Sequence, residues 1–391
     1  MSKAIITSSH LWESSSKVGL HFFGEHLLKR GFDIFWLTIP FSFLSLLKPI
    51  NFKEKLKKLK IVLKKGEKYK IYEKDLINFL VLSAFHPVKG VPFLEGNFVA
   101  KNYLKFSFPL LSFLLARYDF LKNQILLFDA GGICGWPYFK SKSKLKIYRL
   151  NDLILGFKGQ SKGKINLERE IIKKADLILA VTESLLEYAF KIRGSKEGIY
   201  LLPNGVEIER YKKDYPLPSE YQNIPAPRAV FVGAVMYWFY WELVIEVAKK
   251  LKNVSFVIIG PGQVPERIPP NIYFLGPKPY QKIPAYLQHS DLGLIPFRNL
   301  PVIEKMEKPL KFYEYLAAGL PVVSTSFGQL KKMAPYAIFG NNFQEFSKGI
   351  EKALEYSKEE REKLKEVAKQ FSWNKIFEDF DRILTEYGHL S

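Results

Sequence analysis

The run Pro309-Leu310-Lys311-Phe312-Tyr313-Glu314-Tyr315-Leu316-Ala317-Ala318-Gly319-Leu320-Pro321-Val322-Val323 decides the fold. Lys311 and Glu314 stand three residues apart, so on a helix they share one face. That helix stops at Gly319, and a Pro-Val-Val strand follows at once. In an α/β sheet this places a cation and a carboxylate beside the crevice where strands end and ligands bind. Lys311 can neutralise a diphosphate there, and Glu314 can accept hydrogen bonds from a ribose. An ordinary amphipathic helix with one solvated ion pair is the plainer account of the same residues.

The alternation extends outward from this run. Before it, Ala229 to Val232 reads as a strand entering Gly233-Ala234-Val235-Met236, then a helix to Leu251. Val254 to Ile259 leads into Gly260-Pro261-Gly262, Ile272 to Leu275 into Gly276, and Asp291 to Ile295 into Pro296. The first half repeats the pattern, with strands from Ala4 to Thr7, Asp33 to Ile39, Gln124 to Phe128, Lys146 to Arg149, Ala175 to Val181 and Ile199 to Leu202. Helices from Leu20 to Arg30 and Ser184 to Ile192 join some of them. Repeated strand-helix units with glycine at strand ends predict two doubly wound parallel sheets, an α/β class. The polar, proline-rich stretch from Tyr215 to Arg228 predicts a linker. The expected domains are therefore 1–214, 215–372 and a closing amphipathic helix in 373–391.

Composition narrows the partners. A chain of 391 residues has room for two cores, and one cysteine, Cys134, excludes a disulfide framework. The opening MSKAIITSSHLW reads as a strand and a polar turn, not a targeting segment. The apolar stretch from Ile34 to Leu47 is too short to span a bilayer, and Pro40 interrupts it. A formal charge of +20 calls for an anionic partner. Zinc spacing and an RRM-type aromatic box are both missing, so nucleic acid is not expected. Nine lysines lie between Lys53 and Lys70 against only Glu54 and Glu67. Phe52, Leu56, Leu59 and Leu63 recur there at helical spacing, a basic amphipathic helix of the kind that lies on anionic lipid. A soluble helix packing that stripe on the core accounts for the same pattern. A second apolar-basic cluster runs from Tyr103 to Leu115.

Chemistry divides between the halves. On the second-half side, Gly233 lies between a strand and a helix, where its backbone can approach a phosphate. Gly276, Pro277 and Lys278 offer a wall for a base. This arrangement requires no metal, because a lysine and helix N-termini compensate phosphate charge. Asp379-Phe380-Asp381 reads as two surface acids on a helix, and the six histidines show no metal spacing. On the first-half side, Asp152 follows a strand and is either a general base or the N-cap of the next helix. His10, Trp12 and His21 cluster at the first strand-to-helix turn, where either histidine could be the base and Trp12 could stack on a sugar. Asp129 ends its own strand before Gly131.

The Lys311–Glu314 helix resembles the nucleotide-sugar site of GT-B glycosyltransferases. Ser9-His10-x-Trp12, Gly19-x-His21 and Tyr148-Arg149-x-Asn151-Asp152 resemble the xanthan-type glucuronosyltransferase family. The likeness spans most of the chain and is thin from about Leu44 to Leu121. It implies a GT-B fold, two Rossmann-like domains facing a cleft, with the C-terminal helix crossing back to the first. It also implies an inverting, metal-independent enzyme on the cytoplasmic face of the membrane, moving glucuronate from UDP to a lipid-linked saccharide. By motif position Asp152 matches the base, Met236 the donor-loop methionine and Lys311 the phosphate lysine. Glu314 stands where that family can carry glutamine. A carboxylate-bearing sugar would need a cation, for which Lys308, Lys278 and Arg149 are candidates, Arg149 on the acceptor side with Trp12 and Asp129. Retaining relatives pair two glutamates separated by seven residues, and here Met306 occupies the partner position of Glu314. A retaining transferase, a nucleotide-sugar epimerase and a non-catalytic lipid- or polyanion-binding scaffold are the alternatives. A monomer without cofactor is expected.

Overall fold

A computed structural model describes residues 2–14, 17–39, 41–47, 52–156, 159–304 and 309–389. It divides into two compact units. One comprises the chain through Leu202 together with the residues from Ile383 onward, and the other Pro203–Arg382. The boundary therefore falls twelve residues before the expected 214/215 junction. Residues 203–214 are tied to the second unit: Val206 N–H donates to Phe371 O at 2.9 Å, and Tyr211 is buried in its core. The predicted linker is likewise part of that core through Tyr221, whose hydroxyl meets Ser290 at 3.0 Å. The last helix, Trp373–Glu386, begins in the second unit and ends in the first, where Tyr200 donates to Glu386 at 3.2 Å.

The first unit holds β1 (Ser2–Ser8), β2 (Phe32–Thr38), β3 (Glu67–Ile71), β4 (Lys74–Leu80), β5 (Leu82–Ser83), β6 (Ser107–Phe108), β7 (Asn123–Phe128), β8 (Ser143–Leu150), β9 (Leu177–Ala180) and β10 (Ile199–Leu201). Eight of these form one sheet in the order β10-β9-β8-β7-β1-β2-β4-β3. All its pairs are parallel except the β3–β4 hairpin. Buried apolar runs such as Ile125-Leu126-Leu127-Phe128 are what a sheet covered on both faces demands. Winding reverses between β1 and β7, so the ligand crevice of this sheet opens at Ser8 and Phe128.

The second unit holds β11 (Arg228–Val232), β12 (Ser255–Ile259), β13 (Ile272–Gly276), β14 (Leu292–Ile295), β15 (Val322–Ser324) and β16 (Ala337–Phe339). Its all-parallel order is β13-β12-β11-β14-β15-β16, with the reversal between β11 and β14. Side-chain caps start several helices: Ser161 accepts from Lys164 N–H, Thr182 from Leu185 N–H and Asn342 from Glu345 N–H.

The lysine-rich region departs from expectation. Its helix covers Phe52–Leu63 only, and the chain then turns into β3. Gly66 at φ +101° donates to Ile61 O at 3.2 Å, and Lys65 N–H donates to Val62 O at 3.1 Å. That is a Schellman-type stop. Tyr72 and Glu73, both at positive φ, make the two-residue turn into β4. Among the described residues of this helix, Ile61 and Val62 are buried, against Phe41, Leu80 and Leu82. Leu56 and Leu63 of the predicted stripe instead face outward among lysines, Leu63 at 69% exposure.

An exposed aromatic surface lies in the same unit. Phe93 is 65% and Leu110 61% exposed, and Phe98, Phe106, Phe108 and Phe113 are exposed too. Phe85 meets Phe106 and Phe93, Phe93 meets Phe98, and Lys65 lies over Phe113. Among the described residues no helix is long and apolar enough to cross a membrane.

Candidate functional site

In the second unit, three glycine turns carry the strand ends. Gly233, Gly260 and Gly262 hold φ near +150° (148°, 148° and 154°), and a Cβ on Gly260 would stand 1.9 Å from Gly233 O. Only glycine lets these backbones touch. The turns are zipped by Gly233 N–H to Ile259 O at 2.8 Å, Val235 N–H to Pro261 O at 2.8 Å and Gly260 N–H to Gly276 O at 3.0 Å. The helix expected after Met236 starts only at Trp241. Aromatic residues between them are pinned to the loop after β14, with Phe239 bridged to Phe297 and Tyr240 N–H donating to Pro296 O. Helix-end amides come instead from Leu310–Ala317, whose first turn bears Lys311. Met236 lies exposed on the Gly233 loop.

Lys311 occupies the reversal point between β11 and β14. Its Nζ lies 5.1 Å from the Phe231 ring centre and 4.8 Å from that of Phe297. A Cβ on Gly233 would come within 3.0 Å of the same nitrogen. No ion pair holds it among the described residues. Burial lowers its pKa to about 8, against an opposing pull from Glu314. Glu314 is raised by burial and drawn back down by Arg210, then by Lys311.

Lys278 belongs elsewhere. Its ammonium pairs with Glu220 at 2.6 Å, and Tyr286 donates to the other Glu220 oxygen at 3.0 Å. The Lys278 bond and the helix backbone hold Glu220 down at about 2. A cation so committed is poorly placed to serve a donor. Gly276 takes φ +65°, and Pro277 is exposed beside it. Lys308 and Met306 lie outside the described residues.

In the first unit, the turns after β1 and β7 interlock. Thr7 donates to Gly132 O at 2.9 Å, and a Cβ on Gly131 would meet Ser9 Oγ at 2.4 Å. Asp129 accepts from Gly132 N–H at 3.0 Å, and burial lifts it to about 7. Asp152, half-buried beyond β8, accepts from Asn151 Nδ2 at 2.8 Å, while Asn151 Oδ1 accepts from Ala130 N–H at 3.3 Å. Burial raises Asp152 to about 6. The cap of the next α-helix, Lys162–Lys174, is Ser161 and not Asp152. Behind it, Glu168 accepts from Tyr148 at 2.8 Å and Tyr188 at 3.1 Å, and burial raises it to about 7.

His21 is not free to act as a base. It is fully buried at 0% exposure, with Nδ1 accepting from Val18 N–H at 3.1 Å and Nε2 3.0 Å from Leu11 O. Burial drops it to about 4, so it is a neutral strut for the turn. Trp12 packs 5.2 Å from Trp36 and 5.7 Å from His21 in the same cluster. His10 is half-buried and lowered by burial, then by Lys58. Arg149 is 1% exposed, donates to Leu202 O at 3.4 Å and stacks on Phe23, so it serves the interior rather than an acceptor. Among the described residues no cluster of histidine, cysteine and acids could hold a metal, and Asp379 pairs with Arg382 at 2.8 Å.

Solved structures share the whole fold. Sucrose-phosphate synthase from Thermosynechococcus elongatus superposes with a TM-score of 0.67 at 13% identity, covering 99% of both chains. Anabaena HepE in complex with UDP gives 0.64 at 13% identity, covering 99% of this chain and 100% of its own. Residues 6–181 match the N-terminal domain of the glucuronosyltransferase GumK, and residues 226–355 match the group 1 glycosyl transferases. The chain has the GT-B fold and is similar to GumK in its first half and to group 1 glycosyl transferases in its second. A Bacillus subtilis chain named for teichuronic acid biosynthesis, the glycosyltransferase TuaH, is 28% identical over 54% of this chain and 57% of its own. The chain spans about half the length of the curated relatives it matches, a Methanocaldococcus jannaschii glycosyltransferase among them. Sequence reading missed Phe231, Phe297 and Arg210. The first two look like core residues, and only a Glu207–Arg210 spacing of three hinted at the last.

Proposed function

We propose that this protein is an inverting, metal-independent transferase that moves a sugar, glucuronate foremost, from a UDP donor to a lipid-linked saccharide at the cytoplasmic membrane surface. The observation that carries the reading is Lys311, a cation without an ion-pair partner among the described residues, at the reversal point of the second sheet. Beside glycine turns and a helix N-terminus it forms a site for a diphosphate, with Glu314 one turn along for a ribose. Met236, Gly276 and Pro277 border the place of the base. The UDP complex of HepE supports the nucleotide; the GumK match supports glucuronate.

The acceptor hydroxyl gives its proton to Asp152 as its oxygen bonds to the anomeric carbon. The bond from that carbon to the diphosphate oxygen breaks, its electron pair leaves with UDP, and Lys311 offsets the charge. Configuration at the anomeric carbon inverts. The exposed Leu56, Leu63 and phenylalanine surface, set among lysines, supports docking on anionic lipid.

Turnover of radiolabelled UDP-sugars with a membrane lipid extract tests this, with the product's anomeric configuration read by NMR. Transfer with inversion, undiminished by EDTA, is expected. A retained configuration or loss in EDTA refutes the mechanism, and absence of transfer from every UDP-sugar refutes the donor. Binding to anionic liposomes should fall several-fold when Leu63 and Phe113 are both replaced by serine.

A further inference from the structure

The catalytic scheme leaves one side chain beside Asp152 unused. Asn151 follows β8 by one residue, and its backbone N–H donates back to Arg149 O at 3.1 Å. Its side chain makes two hydrogen bonds: Oδ1 accepts from Ala130 N–H at 3.3 Å, and Nδ2 donates to Asp152 Oδ2 at 2.8 Å. A backbone N–H can only donate and an ionised carboxylate can only accept. Turning the amide over would set donor against donor and acceptor against acceptor. The Ala130 contact therefore fixes which end of Asn151 faces Asp152, and that end is the donor.

The turn that supplies Ala130 is itself held. Thr7 Oγ1 donates to Gly132 O at 2.9 Å, and Gly132 N–H donates to Asp129 Oδ1 at 3.0 Å. A Cβ on Gly132 would stand 2.0 Å from Thr7 O, so this turn is pressed against the end of β1. Hydrogen bonds thus run from β1 through the β7 turn to Asn151 and finish on the Asp152 carboxylate. These strand ends lie at the reversal point and beside it, where the crevice of the sheet opens. Among the described residues no cation pairs with Asp152, and its Oδ1 makes no hydrogen bond. One oxygen is anchored and the other is left open. A general base needs that division, because it must be aimed at the proton it takes while keeping a lone pair for it.

We infer that Asn151 is the positioning residue for Asp152, holding one carboxylate oxygen so that the other meets the acceptor hydroxyl. This rests on the reading of Asp152 as the base. The test measures kcat and donor KM of the full chain with radiolabelled UDP-sugar and a membrane lipid extract. Asn151→Leu removes both hydrogen bonds and should lower kcat about 10- to 100-fold, the range for one hydrogen bond to a charged group. Donor KM should stay within about twofold, because the base does not bind the nucleotide. Asn151→Asp keeps the acceptor for Ala130 N–H but turns a second carboxylate toward Asp152, so its kcat should fall at least as far. Asn151→Gln, with the same amide on a longer stem, should lie between Asn151→Leu and wild type. An asparagine that merely ties the two turns together would leave Asn151→Asp within about twofold of wild type, and that result overturns the inference. A raised donor KM with unchanged kcat in Asn151→Leu overturns it too. If Asn151→Leu does not fold, Asn151→Asp decides alone. Absence of transfer by wild type, or retained turnover in Asp152→Asn, would refute the reading on which the inference rests, results distinct from these.

Discussion

The two sheets end in opposite charges. On the β7–β8 side of the first sheet burial raises three carboxyls, Asp129, Asp152 and, on the helix behind them, Glu168. At the reversal point of the second sheet it isolates a cation, Lys311, and lowers it. The cause is the same in both, since desolvation penalises whichever form is charged. Its effect is to bring the pKa of a carboxyl in one unit and of an ammonium in the other toward neutral pH. A fold repeated twice therefore supports two chemistries through the side chains at its strand ends.

The largest effect should come from removing the acid side. Asp152→Asn is expected to lower turnover by about 10²–10⁴-fold while leaving the UDP-induced thermal shift intact. Retained turnover would pass the role to His10. Next, Lys311→Ala should abolish the UDP thermal shift and lower kcat/KM by about 10²-fold or more. An intact shift would dissolve the contrast between the sheets. A third test is the pH profile. Asp152 must be ionised, so kcat/KM rises as pH passes about 6, and Lys311 must be protonated, so it falls beyond about 8. A flat profile across both limbs would contradict the pairing.

The smallest effect concerns stability. Glu168 is raised in the folded state, so the fold loses stability as pH climbs from the unfolded carboxyl value through about 7. Glu168→Gln cannot ionise and escapes that loss. Its melting temperature relative to wild type should therefore improve by about 2–4 °C between pH 5 and pH 8. A difference that does not change with pH would mean Glu168 is charged at little cost.

Much of this was legible in the chain. Strand ends are punctuated by glycine and proline, so the parallel strands and the Lys311–Glu314 helix follow from local pattern. Asp152 was legible as a strand-end acid because β8 leads to it. The misreadings share a cause. Lys278, Arg149 and His21 are residue types that serve binding sites, yet Lys278 and Arg149 are engaged by partners distant in sequence, Glu220 and Leu202, and His21 by the turn before its helix, through Leu11 and Val18. The β3–β4 hairpin was hidden because lysines at alternating and at helical spacing look alike over so few residues.

The sequence alone determined the class of fold, most strands of its two parallel sheets, and the identity of an acid at one strand end and of a cation on the helix before β15. These depend on short-range periodicity and on glycine's access to positive φ. Tertiary structure decided which charges remain available. It paired Lys278 and buried Arg149, locked both nitrogens of His21, and left Lys311 between two phenylalanines without a carboxylate bonded to it among the described residues. Availability depends on partners and solvent at each side chain, and those are set by contacts between residues far apart in the chain.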